Sequence, residues 1–333
     1  MSDYPQPEGT KVPPELLPPP VRLPPPVMSQ PPAQEPPGLD TFEGALRSVF
    51  VGKNGIRAGW SLLIFLGVMF LTIIPIGIAI IVFHVPISGK VHSPAEAIIG
   101  EVLSLILVLV PTIVMSFIER KRFWNYGFLD RRALRRFGGG FCCGFVAISI
   151  LIAILAAGGW IAFDGLTLHG IDALKYAGLW GIAFLILAVF EESMFRGYPQ
   201  YTLARGMNFW AAAVILSVLF GLSHLSNPGE NWLGILQVMV VGLVFSLSLR
   251  LTGSLLWAVG LHAGWDWAQT YFYGTPDSGL VMEGHLLSTH PVGNPLWSGG
   301  AAGPEGSVLA FFILFAVGFG VWFYWRPKQP AIQ

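Results

Sequence analysis

The sequence predicts an all-α, polytopic membrane protein with about eight transmembrane helices. Hydrophobic residues make up 53% of the 333-residue chain and charged residues only 11%, whereas soluble proteins carry roughly 25% charged residues. Eight apolar segments follow one another along the chain, most of them close to the ~20 residues that cross the hydrocarbon core. They run over residues 60–84, 95–118, 138–163, 176–204, 208–226, 231–251, 254–273 and 307–325. We expect one membrane domain over residues 60–326.

Two segments precede the first span. The first 40 residues contain 14 of the chain's 26 prolines and no long apolar run, a composition that predicts a disordered tail. Phe42, Leu46 and Phe50 then recur at helical spacing. Residues 41–58 are therefore predicted to form an amphipathic helix that lies on the membrane surface.

The distribution of Lys and Arg predicts the orientation of the spans. Basic residues concentrate in alternate connections, whereas the other connections carry only Lys90 and Lys175, and segment 274–306 carries none. Since Lys and Arg are enriched on the cytoplasmic side, both termini are expected in the cytoplasm. The net charge is zero and gives no reason to expect nucleic acid as a partner. The connection between the second and third spans holds Arg120, Lys121, Arg122, Arg131, Arg132, Arg135 and Arg136.

Two other groups of reactive side chains are expected to be structural. Cys142 and Cys143 are adjacent in an apolar run, where free thiols that pack as small hydrophobic groups are expected rather than a strained disulfide. His285 and His290 lie in the Gly-, Pro- and Ser-rich segment 274–306. Isolated loop histidines of this kind predict no metal site.

Ionisable residues within the spans are the strongest functional signal, because each costs about a few kcal/mol at membrane depth. The candidate site residues lie in three of the predicted spans, in two of them with a spacing of four residues, which places the side chains on one helix face. The set is Glu191, Glu192 and Arg196 in the fourth span, His224 with the preceding Phe220 in the fifth, and His262 and Asp266 in the seventh.

Helix geometry predicts that these groups meet. Residues 205–208 form the cytoplasmic turn between the fourth and fifth spans. Glu191 precedes this turn and His224 follows it by similar numbers of residues, so both lie roughly 20–27 Å from it. The next cytoplasmic turn places the polar pair of the seventh span roughly 14–20 Å from the same face. Pro199 is expected to kink its helix and to shift these heights by several ångströms.

The converging groups suit hydrolysis inside a membrane. A carboxylate in an apolar site is a stronger proton acceptor than in water, so Glu191, partnered by His224, could polarise a water molecule. His262 and Asp266 could orient the substrate carbonyl or hold the developing oxyanion. An ionised Asp266 would repel an oxyanion, which requires a protonated or bridging role. The arginine of the fourth span would hold the neighbouring glutamate charged and aligned.

The same residues allow other hypotheses. Glu191, His224, His262 and Asp266 are a reasonable ligand set for Zn²⁺ with one water, although no His-Glu-x-x-His sequence is present. A proton-coupled transporter would use them as a relay, but no paired, discontinuous repeats are evident. The Glu and Arg of the fourth span could also be a buried ion pair that only stabilises helix packing. The residues alone leave metal-dependent and metal-free catalysis open.

The ordered motifs resemble a known family. Glu-Glu-x-x-x-Arg, then Phe-x-x-x-His, then His-x-x-x-Asp or Asn is similar to the signature of the CAAX-prenyl-endopeptidase and bacteriocin-processing group of intramembrane proteases. The segment that carries the resemblance is about residues 176–273. In this chain the motifs read Glu191-Glu192-x-x-x-Arg196, Phe220-x-x-x-His224 and His262-x-x-x-Asp266.

The resemblance implies an eight-helix core with a cavity open toward the cytoplasm and the bilayer. It implies that Glu191 activates water with His224, that His262 and residue 266 stabilise the oxyanion, and that Glu192, Arg196 and Phe220 support them. A glutamate-dependent mechanism without a cofactor is favoured over Zn²⁺. One departure is Asp266, where the eukaryotic prenyl-protein member has Asn.

The resemblance also suggests the setting of the activity. The expected partners are membrane lipid and a peptide or lipid-anchored protein substrate, and the expected location is a bacterial cell membrane. Some members serve in bacteriocin immunity, so a non-catalytic immunity or scaffold role is the alternative.

Overall fold

The computed structural model describes residues 44, 48–52, 55–85, 93–280 and 282–326. The predicted Pro-rich tail, residues 1–40, lies outside this part of the chain. Within it, the helices are α1 (Ala58–Val82), α2 (Pro94–Ile118), α3 (Ala133–Ala157), α4 (Gly170–Phe195), α5 (Tyr198–Gly206), α6 (Phe209–Ser223), α7 (Trp232–Thr252), α8 (Leu256–Asp266), α9 (Pro295–Ser298) and α10 (Val308–Trp325). The strands are β1 (Val51–Gly52), β2 (Gly55–Ile56), β3 (Ile161–Leu166) and β4 (Leu287–Pro291).

The all-α, polytopic prediction is confirmed. In the described residues, seven helical segments are long and apolar enough to cross a membrane, and α4 together with α5 forms one of them over Gly170–Gly206. The seventh predicted span, residues 254–273, is α8 followed by a π-helical segment, Trp267–Phe272. Neither piece alone has the length of a span, yet together they return the chain across the bundle.

The helix bundle has a proximal and a distal end. The proximal end is where α1 begins and α10 ends, and it includes residues 119–132, 207–208 and 253–255. The distal end carries the connections 83–93, 158–169, 224–231 and 273–307. Polar side chains cap helices at both ends: Asn208 accepts from the backbone of Ala211 at the start of α6, and Asn231 accepts from the backbone of Leu233 at the start of α7. Such caps satisfy backbone donors at helix starts.

The predicted surface helix over residues 41–58 is wrong in its second half. Val51 pairs with Ile56 and Gly52 with Gly55 in a short antiparallel ladder. Gly55 has a φ of 95°, a left-handed conformation that glycine adopts without strain and that ends a helix. Residues 41–43 and 45–47 lie outside the described residues. The two cysteines are free, as expected, with Cys142 exposed on α3.

Helices α3 and α8 contact each other through glycines. Each helix contributes a Gly-x-x-x-Gly pair, a motif that lets two helix backbones approach closely in membranes. A Cβ atom added at Gly144 would lie 2.1 Å from the carbonyl oxygen of Leu261, and one added at Gly264 would lie 2.3 Å from that of Phe141. Because α8 carries two of the predicted site residues, this glycine seam fixes their position. The seam consists of Gly140, Gly144, Gly260 and Gly264.

Gly264→Ala is expected to destabilise the protein and lower its activity. The new methyl group cannot coexist with the Phe141 carbonyl oxygen at 2.3 Å, so α8 must move away from α3, at a cost of about 1–3 kcal/mol for overpacking. The measurement is thermal unfolding in detergent. Gly139→Ala is the matched control, since a Cβ added there has no atom within 4 Å. Equal stability of the two variants would contradict a close contact between α3 and α8 at Gly264.

The distal end is covered by a folded segment rather than a loop. Residues 274–306 contain β4, α9 and short 3-10 turns, and β4 pairs with β3 from Ile161↔Pro291 to Leu166↔Leu287. Trp160 and Trp297 stack with ring centroids 5.3 Å apart. His290 contacts the carboxylate of Asp164 at 3.0 Å, so this histidine serves the strand pair. The segment thereby holds a defined position over the distal ends of the helices.

Candidate active site

The two glutamates of the fourth span lie just before a break in the helix. α4 ends at Phe195 and α5 begins at Tyr198, with Gly197 between them. A Cβ atom at Gly197 would lie 2.4 Å from the carbonyl oxygen of Ser193, so only glycine fits this break. Pro199 was predicted to kink the helix, and it occupies the first turn of α5, where proline is tolerated.

Glu192 and Arg196 form a fully buried ion pair. Arg196 Nη1 donates to Glu192 Oε1 at 3.0 Å, and both side chains have 0% exposure. The guanidinium also lies 4.2 Å from the ring centroid of Phe220 and 5.3 Å from that of Phe245, contacts that partly replace its hydration. Space for it exists because residue 242 is glycine: a Cβ there would lie 2.4 Å from Arg196 Nη2.

His262 contacts all three carboxyl groups of the predicted site. Its Nδ1 lies 3.3 Å from Glu192 Oε1, and its Nε2 lies 3.5 Å from Glu191 Oε2 and 3.4 Å from Asp266 Oδ2. Phe245 stacks on the ring at a centroid distance of 5.4 Å. The imidazole is therefore held in one orientation, with a nitrogen directed at the two carboxyl groups that line the cavity.

His224 and His262 both lie near the Phe220 ring. The Phe220 ring centroid lies 5.2 Å from that of His224 and 6.2 Å from that of His262. His224 Nδ1 lies 2.9 Å from the carbonyl oxygen of Phe220. A carbonyl only accepts, so Nδ1 carries the hydrogen in this contact, and in the neutral ring Nε2 is an acceptor. The predicted partnership with Glu191 is not a direct contact, since no hydrogen bond or ion pair joins the two among the described residues.

One cavity of about 450 Å³ is lined by five of the seven predicted site residues and by others. Glu191, His224, His262, Asp266 and Phe220 line it. Sequence reasoning missed Glu101 of α2, which also lines the cavity, although an ionisable residue inside a predicted span was the signal used for the others. The remaining polar lining residues that were missed are Ser104, Ser223, Asn227, Gln237, Asp277, Ser278 and Glu305.

The Zn²⁺ hypothesis finds no preformed group of ligands among the described residues. Both ring nitrogens of His262 already face carboxylate oxygens. In the part of the chain that the structure describes, no group of three or more His, Cys, Asp or Glu residues is placed to hold a metal ion. We therefore assign no chemical step to a metal.

Two acids of the 274–306 segment are joined beside the cavity. Asp277 and Glu305 lie close enough together for each to shift the pKa of the other. Glu305 accepts from Gln269 Nε2 at 2.6 Å and Asp277 accepts from Thr270 Oγ1 at 3.0 Å. Burial and the nearby charge of Asp277 raise the pKa of Glu305 to about 8, and burial raises the pKa of Asp277 to about 6. The pair ties the distal segment to the π-helical turn through Gln269 and Thr270.

The distal segment is expected to open as pH rises. The pKa of Glu305 is about 8 in the folded protein and 4.5 ordinarily, so the folded form binds this proton more tightly. The stability it contributes is complete below about pH 4.5 and is lost as pH rises through about 8. Hydrogen exchange of residues 274–306 should therefore be faster at high pH, and Glu305→Gln should flatten this dependence. Unchanged pH dependence in the variant would exclude Glu305 as its source.

Comparison with known proteins adds a family relationship. A sequence profile described as type II CAAX prenyl endopeptidase Rce1-like matches residues 173–268, which is less than a third of the chain. All seven predicted site residues, from Glu191 to Asp266, lie within it. No curated protein and no solved structure matches the chain.

Proposed function

We propose, from the type II CAAX prenyl endopeptidase Rce1-like domain at residues 173–268, that this chain is an intramembrane endopeptidase in which Glu191 activates water. One observation carries the proposal. A single imidazole, His262, contacts Glu191, Glu192 and Asp266 at 3.3–3.5 Å in a cavity that also receives His224. Ionisable groups gathered at membrane depth mark functional sites.

The proposed reaction begins with a water held by two acceptors, the Glu191 carboxylate and Nε2 of His224. Glu191 takes a proton as the water oxygen attacks the peptide carbonyl carbon. Nε2–H of His262 then donates to the oxyanion that forms. When the C–N bond breaks, the leaving nitrogen takes the proton from Glu191, and the products are a carboxyl group and an amine. Asp266 keeps the His262 ring directed at the cavity.

The cavity suits an apolar substrate segment. Around the polar groups its lining is formed by aromatic and aliphatic side chains, among them Phe184, Leu187, Phe190 and Val241. A soluble peptide would gain little from such a wall, whereas a membrane-associated or lipid-anchored peptide would bury apolar surface there. The proposed substrate is therefore a membrane-bound peptide or protein.

Both termini are proposed to lie in the cytoplasm of a bacterial cell. Seven basic residues follow α2 in residues 120–136, and Arg57, Arg205, Arg250 and Arg326 lie near the same, proximal end. Among the described residues, the distal connections and the first turns of α4 carry one Lys or Arg, Lys175. This asymmetry is the pattern of the positive-inside rule.

The proposal is tested with purified full-length protein and a library of membrane-tethered peptides, with and without prenyl groups. Wild type is expected to cleave a subset of the peptides and to retain this activity after treatment with a chelator. Elemental analysis of the active protein is expected to find no stoichiometric metal. Activity that falls with chelation and returns with Zn²⁺ would indicate a metal-dependent mechanism and contradict water activation by a glutamate. No cleavage, together with ion-gradient-dependent flux in liposomes that Glu191→Gln abolishes, would indicate a transporter. An immunity or scaffold role predicts that Glu191→Gln still complements a deletion strain.

A further inference from the structure

A groove of about 1090 Å³ runs between α3 and α10. It shares no lining residue with the active-site cavity. Small residues that recur every four positions leave the space open, and a Cβ atom added at either of the two glycines among them would have no atom within 4 Å. These small residues are Gly139, Cys143 and Ala147 on α3 and Ala316 and Gly320 on α10. The α3–α10 groove is therefore a space that neither helix fills.

The α3–α10 groove has the length of one membrane leaflet. Between Arg135 and Ile150, α3 rises about 22 Å, and between Ile313 and Trp325, α10 spans about 18 Å. Half of a bilayer, headgroup layer included, measures roughly 20–22 Å. Val146, Ile150 and Phe323, which line the groove, are 52%, 48% and 57% exposed. The groove therefore opens sideways, where lipid chains surround a membrane protein.

Three arginines line the proximal end of the groove: Arg132, Arg135 and Arg136. Arg136 Nη1 lies 2.7 Å from Asp130 Oδ2 and donates to the carbonyl oxygen of Thr252 at 3.0 Å. Arg132 and Arg135 are exposed, and within the described ranges of the chain neither guanidinium forms an ion pair. Two cations without a counter-charge thus stand at one end of an apolar groove.

Aromatic side chains place these arginines at the level of the lipid headgroups. Trp257, Tyr324 and Trp325 line the same end of the groove. The two indole rings meet edge to face, with their centroids 5.4 Å apart, and Tyr324 is 66% exposed. Trp and Tyr are enriched at the interface between membrane and water. The arginines beside them therefore meet phosphate groups rather than acyl chains.

We infer that the α3–α10 groove binds one anionic phospholipid of the leaflet at the proximal end. Its headgroup contacts Arg132 and Arg135, and its acyl chains lie along the small residues of both helices. Guanidinium groups bind phosphate oxygens through paired hydrogen bonds, and basic pockets between transmembrane helices bind anionic headgroups. The inference goes beyond the proposed endopeptidase function and does not depend on it.

The charges favour this occupant over two others. In a symmetric dimer with its axis along the membrane normal, two copies of the groove would bring Arg132 and Arg135 of both chains to the same height, and like charges in an interface are unfavourable. An apolar helix of another protein would fill the space but leave both guanidinium groups without a counter-charge. An anionic phospholipid satisfies the apolar wall and the cations together.

A bound lipid would contact three helices, because Trp257 belongs to α8. This helix also carries His262 and Asp266. A ligand that binds only the folded protein raises its stability by mass action. Occupancy of the groove is therefore expected to raise the unfolding temperature of the whole bundle.

The headgroup contact is tested with full-length protein in an uncharged detergent. Phosphatidylglycerol and phosphatidylcholine with identical acyl chains are titrated, and binding is measured by native mass spectrometry and thermal unfolding. Phosphatidylglycerol is expected to bind about tenfold more tightly or better. The double variant Arg132→Gln, Arg135→Gln should lose this preference. Arg131→Gln, exposed in the same connection but outside the groove, is the control. Equal affinities for the two lipids, or equal losses in both variants, would overturn the inference.

The acyl-chain contact is tested by filling the groove. The ring of Gly320→Phe should occupy it and weaken phosphatidylglycerol binding about tenfold or more, since several methylene groups lose their contact. Gly67→Phe on α1, where an added Cβ also has no atom within 4 Å, should bind as the wild type does. Glycerol 3-phosphate, which has the charge but no chains, should not compete. Equal competition by it, or a dimer that Gly320→Phe dissociates, would overturn the inference.

Discussion

Replacing Glu191 with glutamine is expected to lower the rate of peptide hydrolysis by about 10²–10⁴-fold, the range contributed by a general base. Glutamine has nearly the same shape and accepts a hydrogen bond through its carbonyl oxygen, so the contact with His262 Nε2, now 3.5 Å from Glu191 Oε2, can persist. What the amide cannot do is take a proton from water. The loss should therefore appear in kcat, with KM little changed.

The measurement is cleavage of a membrane-tethered peptide under single-turnover conditions, with substrate binding measured separately. Glu101→Gln is the matched control, because Glu101 lines the same cavity from α2 and forms no ion pair with His262 in the described part of the chain. Thermal unfolding of both variants should equal that of the wild type within about 1 kcal/mol. Wild-type turnover by Glu191→Gln, or equal losses in both variants, would remove Glu191 from the role of base.

Replacing Arg196 with methionine is expected to destabilise the protein by about 3–5 kcal/mol, the cost of leaving one charge of a buried pair uncompensated. Glu192 would remain with 0% exposure and without its guanidinium partner. The methionine side chain would also lose the contact over the Phe220 ring, which lies 4.2 Å from the guanidinium carbon. A strong decrease in the unfolding temperature in detergent is the expected observation.

The double variant Arg196→Met, Glu192→Leu separates charge from packing. With both charges removed, most of the lost stability should return, because an apolar pair of similar volume needs no compensation. Activity should stay low, since Glu192 Oε1 no longer meets His262 Nδ1, now at 3.3 Å. A single variant as stable as wild type, or a double variant no better than the single, would contradict the role of the ion pair in the fold.

The spans and the site residues could be predicted because each rests on a local signal. An apolar run of about 20 residues reports a span by its own composition, and the four-residue spacing from His262 to Asp266 reports one helix face. Height along a helix axis follows from residue counting, which is why Glu191, His224 and His262 were expected at similar depth. All three line one cavity.

Rotation about the helix axes could not be predicted in the same way. Counting residues along a helix does not tell in which direction around its axis a side chain points. Glu191 was therefore paired with His224, whereas in the structure it contacts His262. The distal segment was also beyond local reasoning, because β4 forms only by pairing with β3, more than 100 residues earlier. The surface helix predicted over 41–58 was wrong where Val51 pairs with Ile56 and Gly52 with Gly55.

The glycine seam between α3 and α8 also decides which wall of the cavity can move. Where the four glycines meet, the two helix backbones are in direct contact, so relative motion there requires separating the helices as a whole. The cavity wall that carries His262 and Asp266 is therefore expected to stay in place when substrate enters. Admission of substrate falls to α1 and α2, whose distal halves enclose an apolar groove. Hydrogen exchange should be slowest in α8 and fastest at the distal turns of α1 and α2.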